Sequence, residues 1–217
     1  MRAIVTTVGP LASASATNIR TASGVAGAGN LVLNGSLVSG GVATLDGARR
    51  ILFTTTANET TKTILLSGTN WASDLISETV TLVNNSTVAS VLDYKTVTSA
   101  YCSAALTGNL SIGTNSVAAS PWVRLDDYAP NGVAIQCTVS GTVNYTVQQT
   151  LDNPNDPSNP VLPAAMTWVA SSDTNVVGAT STQQTNYNFN PVFARILLNS
   201  GTGVVVGTFL QASAVPQ

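Results

Sequence analysis

The sequence predicts an all-β protein with two antiparallel β-sandwich domains, jelly-roll or Ig-like in type, preceded by an extended N-terminal arm. Of the 217 residues, 44 % are hydrophobic and only 8 % are charged. Thr and Val are abundant, and such β-branched residues suit a pleated, half-buried surface. Apolar and polar residues alternate in short runs separated by turn signals, as is typical of antiparallel strands. No segment has the period of a long helix.

The first domain is predicted over residues 48–120, after an arm formed by residues 1–47. The arm is rich in Gly, Ala and Ser, with strand-like runs only at 3–8 and 31–37. Because such a composition buries little apolar surface, we expect the arm to lie along a neighbouring subunit and both domains to fold without it. From residue 49 the alternation sharpens, as in Ile51 and Phe53, and turn signals follow at 57–59, 67–70, 84–86 and 107–109.

The second domain is predicted over residues 121–217. Its strand-like runs are 122–125, 133–139, 143–149, 193–198 and 204–210. Ser140 and Gly141 separate the second run from the third and predict a tight hairpin turn. Three prolines lie among Asn and Asp in residues 151–160. This segment is therefore predicted to be an exposed loop, because proline cannot donate to a β-ladder.

Composition excludes several classes of function. The chain has no histidine, which excludes histidine-based triads and histidine metal sites. A pI near 4.8 and eight scattered Lys and Arg give no electrostatic footprint for nucleic acid. No apolar run is long enough for a membrane helix, and the N-terminus lacks the long apolar region of a signal peptide. We therefore expect no enzyme, no nucleic-acid or membrane partner, and no catalytic, cofactor-binding or metal-binding residues.

Two acidic segments are the candidates for a cation site. Asp126 and Asp127 form an adjacent pair, which is better interpreted as a solvated turn because no further oxygen ligands follow at a recognisable spacing. Residues 152–156 offer four oxygen-bearing side chains that resemble half an EF-hand loop. The glycine and the closing glutamate of that motif are missing. A proline-stiffened surface loop is the favoured interpretation, with a structural Ca²⁺ as the alternative.

The cysteines and tryptophans are interpreted as structural. Cys102 and Cys137 fall in predicted strands, and without a histidine neither has a base to activate it. They are expected to be buried thiols, with a disulfide as the alternative. Trp71, Trp122 and Trp168 are predicted to pack in a core or a subunit interface. A sugar-binding platform is the alternative for these rings.

Low charge also predicts an assembly. A soluble monomer usually spreads charges over its surface and covers its strand edges, whereas interface cores are depleted in charge. This chain has too few charges to cover two β domains in the usual way. We therefore expect other subunits to cover much of its surface.

Seven segments resemble small virion structural proteins of tailed bacteriophages. The likeness covers roughly residues 48–212 and is carried by 49–54 (RRILFT), 77–82 (SETVTL), 94–101 (YKTVTSAY), 111–115 (SIGTN), 120–126 (SPWVRLD), 140–147 (SGTVNYTV) and 195–203 (RILLNSGTG). The resemblance implies β-sandwich domains and a structural role, with no catalytic residues to carry over.

The expected function is that of a capsid cement or decoration protein that stabilises the head by bridging capsid subunits. A neck, tail or fibre-anchoring component is the first alternative, and a carbohydrate-binding module for the host surface is the alternative of another class. The expected partners are the major capsid protein or other virion proteins and further copies of the chain, as a trimer. The expected location is the virion, assembled in the bacterial host cytoplasm.

Overall fold

The computed structural model describes residues 2–126, 129 and 132–211. It confirms an all-β chain with antiparallel strands. The strands, numbered in chain order, are β1 Arg2–Val8, β2 Ser15–Ser23, β3 Gly29–Asn30, β4 Val38–Ser39, β5 Val42–Thr55, β6 Thr63–Thr69, β7 Leu75–Thr81, β8 Thr87–Ala89, β9 Tyr94–Cys102, β10 Leu110–Ala119, β11 Val123–Arg124, β12 Val133–Ser140, β13 Val143–Thr150, β14 Val169–Ala170, β15 Val177–Ala179, β16 Gln183–Tyr187, β17 Phe193–Gly201 and β18 Val204–Gln211. Two single-turn 3₁₀ helices, Pro163–Ala165 and Thr174–Val176, lie between β13 and β15.

The chain divides into two compact units. The terminal unit combines the N-terminal residues up to Leu11 with the residues from Val117 onward, and the inserted unit is Ala12–Ser116. This division differs from the predicted arm and domains. Residues 1–47 are not a separate arm, because β1 pairs with β18 in the terminal unit, while β2 pairs with β10 and β3 with β9 in the inserted unit. The predicted strand at 31–37 is absent.

The terminal unit encloses its core between two sheets. One sheet has the order β1-β18-β12-β16, and the facing strands are β14, β13 and β17, with β11 and β15 paired to them. Alternate residues of β12 point inward, which places Val133, Ile135 and Cys137 in a core shared with Tyr145 and Val147 of β13. This alternation follows from the period of two along a strand.

Two tight connections cross between these sheets. The turn after Ser140 was predicted to join a hairpin, but β12 pairs with β18 and β16 while β13 pairs with β17. The chain therefore leaves one sheet at Ser140 and enters the other at Val143. The second crossing, from β17 to β18, lies beside it, and the carbonyl of Thr142 accepts hydrogen bonds from the amides of Thr202 and Gly203 at 3.0 and 2.9 Å.

The inserted unit is built around the long strand β5. Its sheet has the order β10-β5-β9-β6-β7, and β2, β3, β4 and β8 pair with members of it. Its buried apolar side chains include Ile51 and Phe53 of β5, Ile64 and Leu66 of β6, and Ile19 of β2. Ile19 belongs to the segment predicted to be an arm, and its burial explains why that segment is part of the unit.

Candidate functional site

An aromatic surface lies on the terminal unit, outside its core. It consists of Trp122, Trp168 and Phe193 together with Arg124 and Arg195. The ring centroids of Trp122 and Trp168 are 5.3 Å apart with an interplanar angle of 51°. Trp122 meets Phe193 edge-on at 5.8 Å. Offset and edge-on arrangements of this kind are the favourable ones for aromatic pairs.

The alternation of β17 creates this surface. Ala194, Ile196 and Leu198 point into the core, so Phe193 and Arg195 project from the opposite face. The cross-strand partner of Arg195 is Gln148 of β13. The Nε of Arg195 donates a hydrogen bond to Oε1 of Gln148 at 2.9 Å.

Both arginines lie over aromatic rings. The Cζ of Arg195 is 4.2 Å from the centroid of Trp168, and that of Arg124 is 5.6 Å from the centroid of Phe193. Arg195 is only 6 % exposed, whereas Trp122 and Trp168 are half-buried. Trp168 therefore covers a buried cation, an arrangement worth about 2 kcal/mol when the cation is desolvated.

Sequence reasoning found only part of this surface. Trp122 and Trp168 were candidates and the structure brings them together, whereas Trp71 lies in the inserted unit. Phe193, Arg124 and Arg195 were missed, and so was the contact between Arg195 and Gln148. The spacing of two between Phe193 and Arg195 was a signal that could have placed both on one face, but not a signal that this face meets Trp168.

The acidic loop at 152–156 uses its oxygens locally. Oδ2 of Asp152 accepts a hydrogen bond from the amide of Thr167 at 2.5 Å, and Oδ1 of Asn153 accepts one from the amide of Asn155 at 3.0 Å. The amides of Asn159 and Ser158 hydrogen bond to Asp156 and lower the pKa of its carboxyl. Among the described residues, no three His, Cys, Asp or Glu side chains form a group that could hold a metal ion.

The other candidates occupy structural positions. The amide of Asp126 donates to Oε1 of Gln211 at 2.8 Å, and its carbonyl accepts from Nε2 of Gln211 at 2.9 Å. Asp127, the other member of the predicted pair, lies outside the described residues. Cys102 and Cys137 are free and buried, and burial raises the pKa of the Cys137 thiol to about 11.

A second surface with an unusual composition lies on the inserted unit. In the registers of β6 with β7 and of β6 with β9, Leu65 is opposite Thr79 and Tyr101, and Ser67 is opposite Ser77 and Ser99. Residues opposite each other share a sheet face. The uncharged face, as we name it, contains Thr63, Leu65, Ser67, Thr69, Leu75, Ser77, Thr79, Thr81, Ser99 and Tyr101.

A cleft of about 390 Å³ lies beside the glycine-rich segment 24–29 of the inserted unit. The guanidinium of Arg20 is at this cleft, but the carbonyls of Ser23, Gly24 and Leu110 accept its hydrogen bonds. This cation therefore holds the segment in place and is committed to the fold.

The chain matches no family model, no curated protein and no solved structure. Within the part of the chain that the structure describes, no helix has the length and apolar character needed to cross a membrane.

Proposed function

We propose that this chain is a structural virion protein of a tailed bacteriophage, built from β-sandwich domains, that acts as a capsid cement or decoration protein. It bridges capsid subunits as a homo-oligomer, a trimer in the simplest case, and performs no catalysis. The resemblance of seven sequence segments to such virion proteins supports this proposal, and so does the composition of one sheet face.

The uncharged face is the observation that carries the proposal. Leu65, Leu75 and Tyr101 are 44 %, 83 % and 43 % exposed on it, and its other members are Ser and Thr. The charged residue of β7, Glu78, accepts hydrogen bonds from the amides of Val91 and Leu92 instead. An exposed face without charge is unusual for a soluble monomer and typical of the centre of a protein interface.

The edge strand β7 supports the same proposal. It ends the strand order of its sheet, so among the described residues one side of its backbone has no strand partner in that sheet. Natural edge strands are usually protected by charge, proline or a bulge. Six of the seven residues of β7 are uncharged and none is proline, which suits pairing or packing against another subunit.

A cement protein acts by mass action. A protein that binds only the assembled shell stabilises it by about 2.7 kcal/mol per site when its free concentration is a hundred times its dissociation constant. Burial of apolar surface supplies about 25 cal/mol per Å², less the cost of association. An uncharged sheet face supplies such area without the cost of desolvating charges.

The first test is the copy number of the chain in purified particles, measured by quantitative mass spectrometry against the major capsid protein. A ratio near one, or a simple fraction such as one-third, is expected for cement. About a dozen copies per particle would instead assign the chain to the neck or tail, and absence from the particle would overturn the proposal.

A charge placed on the uncharged face tests the proposed contact. Thr79 is exposed and opposite Leu65, so Thr79→Lys is expected to leave the fold intact. Burying the new ammonium is expected to weaken particle binding about tenfold or more. Ala22→Lys, at an exposed position of β2, is the control. Equal occupancy of particles by both variants in a co-sedimentation assay would contradict the proposed role of this face.

A further inference from the structure

We propose that the aromatic surface of the terminal unit is a binding subsite for a pyranose saccharide. The proposal goes beyond the structural role and does not depend on it. A pyranose ring has an apolar C–H face and hydroxyls around its rim. It therefore needs a half-exposed aromatic ring flanked by planar hydrogen-bonding groups.

Trp168 offers the ring. Its indole has the guanidinium of Arg195 over it, with the cation 4.2 Å from the ring centroid. Because Arg195 is only 6 % exposed while Trp168 is half-buried, the indole and not the cation is the group that a ligand can reach here. The cation thus fixes the orientation of the ring before any ligand binds, which reduces the entropic cost of binding.

Trp122 extends the apolar surface beyond one ring. Its centroid is 5.3 Å from that of Trp168, and it is also half-buried. The two planes are inclined at 51°, so together they form an angled surface rather than one flat platform. Such a shape fits a bent or branched glycan better than a flat aromatic ligand.

Arg124 and Asn153 supply the polar rim. The Cζ of Arg124 lies 5.6 Å from the centroid of Phe193, which meets Trp122 edge-on, and its Nη1 donates a hydrogen bond to Oδ1 of Asn153 at 3.5 Å. The guanidinium is a planar group of N–H donors, and the amide nitrogen of Asn153 carries two more. Arg124 is exposed and Asn153 is half-buried, and donors of this type bind sugar hydroxyls.

Affinity electrophoresis of the full chain tests the subsite, with dextran, hydroxyethyl cellulose, galactan or alginate in the gel. Retardation by at least one of these polysaccharides is expected. Trp168→Ala is expected to weaken that binding about tenfold or more, because stacking on the ring is lost. Trp71→Ala removes a half-buried tryptophan from the inserted unit and is the matched control, expected to bind as the unchanged chain does.

A second variant distinguishes a loss of saccharide binding from a loss of folding. Trp168→Phe keeps a ring over Arg195, and circular dichroism checks the fold of each variant. We expect Trp168→Phe to bind more weakly than the unchanged chain and, where Trp168→Ala remains folded, more tightly than that variant. Binding by none of the four polysaccharides, or equal binding by the unchanged chain and Trp168→Phe, would overturn the proposal. Loss of self-association in Trp168→Phe without any saccharide effect would overturn it too, and would assign the surface to a contact between copies.

Discussion

Glu59 is a buried carboxylate with a structural role. Its Oε1 accepts hydrogen bonds from the amides of Thr107 and Gly108 at 2.7 and 2.8 Å, and its Oε2 pairs with Nζ of Lys62 at 3.1 Å. Burial raises the pKa of this carboxyl. The hydrogen bonds from Gly108, Lys62 and Thr107 outweigh that effect, so the pKa lies below its usual value of 4.5. Glu59 thus fastens the turn at 107–108 to the loop that precedes β6.

This arrangement predicts how stability depends on pH. Because the folded pKa of Glu59 is below the unfolded one, its contribution is complete above about pH 4.5 and is lost as the pH falls through the folded pKa. Glu59→Gln is expected to lower the free energy of unfolding by about 2 kcal/mol at neutral pH. The variant should also lack this part of the acid-side slope in denaturant titrations measured across pH. An unchanged slope in Glu59→Gln would contradict the assignment.

Among elements, the pairing of β2 with β10 depends on a glycine. A Cβ at Gly113 would overlap the carbonyl oxygen of Ser15 and the backbone of Ala16. The two strands therefore approach more closely than a side chain would allow. Their register also shifts between Ile112 and Thr114, which is consistent with local bulging at this point.

Gly113→Ala is therefore expected to displace β2 and to lower the free energy of unfolding by about 2 kcal/mol or more. Gly27→Ala is the matched control, because a Cβ at Gly27 meets no atom within 4 Å and its φ lies outside the left-handed region. That control is expected to be neutral or slightly stabilising. Chemical denaturation of both variants measures the difference. Equal midpoints would show that a side chain at position 113 does not destabilise the fold.

At the scale of the whole molecule, one side chain forms hydrogen bonds with both ends of the inserted unit. The guanidinium of Arg49, only 1 % exposed, donates to the carbonyl of Ala12 at 3.0 Å and, through Nε, to the carbonyl of Asn115 at 2.8 Å. Asp46 pairs with the same guanidinium at 3.0 Å. The first and penultimate residues of Ala12–Ser116 therefore meet at Arg49, as expected for a domain inserted into another.

Two fragments test this organisation. Residues 12–116 alone are expected to fold, and so is the terminal unit with residues 12–116 replaced by a short Gly/Ser linker. Deletion of residues 1–47 is expected to unfold the chain, because it removes β1 from one unit and the buried Ile19 and Leu45 from the other. Dispersed amide spectra of each fragment provide the measurement. A folded chain after deletion of residues 1–47 would contradict this division and would support the prediction of a separate arm.

The sequence alone determined that the chain is all-β with antiparallel strands, and it determined many strand positions. Alternation at Val133, Ile135 and Cys137 predicted β12, and the three prolines of residues 151–160 predicted a segment without strands, as the structure has it. These features are local, because the period of a strand and the geometry of proline are properties of a few consecutive residues. The strand pairing of the N-terminal segment could not be predicted from neighbouring residues, because β1 pairs with β18 at the opposite end of the described chain.

The tertiary structure decided which strands pair and which side chains meet. Nothing near Ser140 distinguishes a hairpin from a crossing between sheets, because both need a tight turn, and the choice is made by the partners β17 and β18. Likewise Trp122, Trp168 and Arg195 lie far apart in sequence and meet only because β11 and β13 both pair with β17 and β14 pairs with β13. Sequence patterns report the environment of a residue, whereas its partners depend on chain segments that the local pattern does not contain.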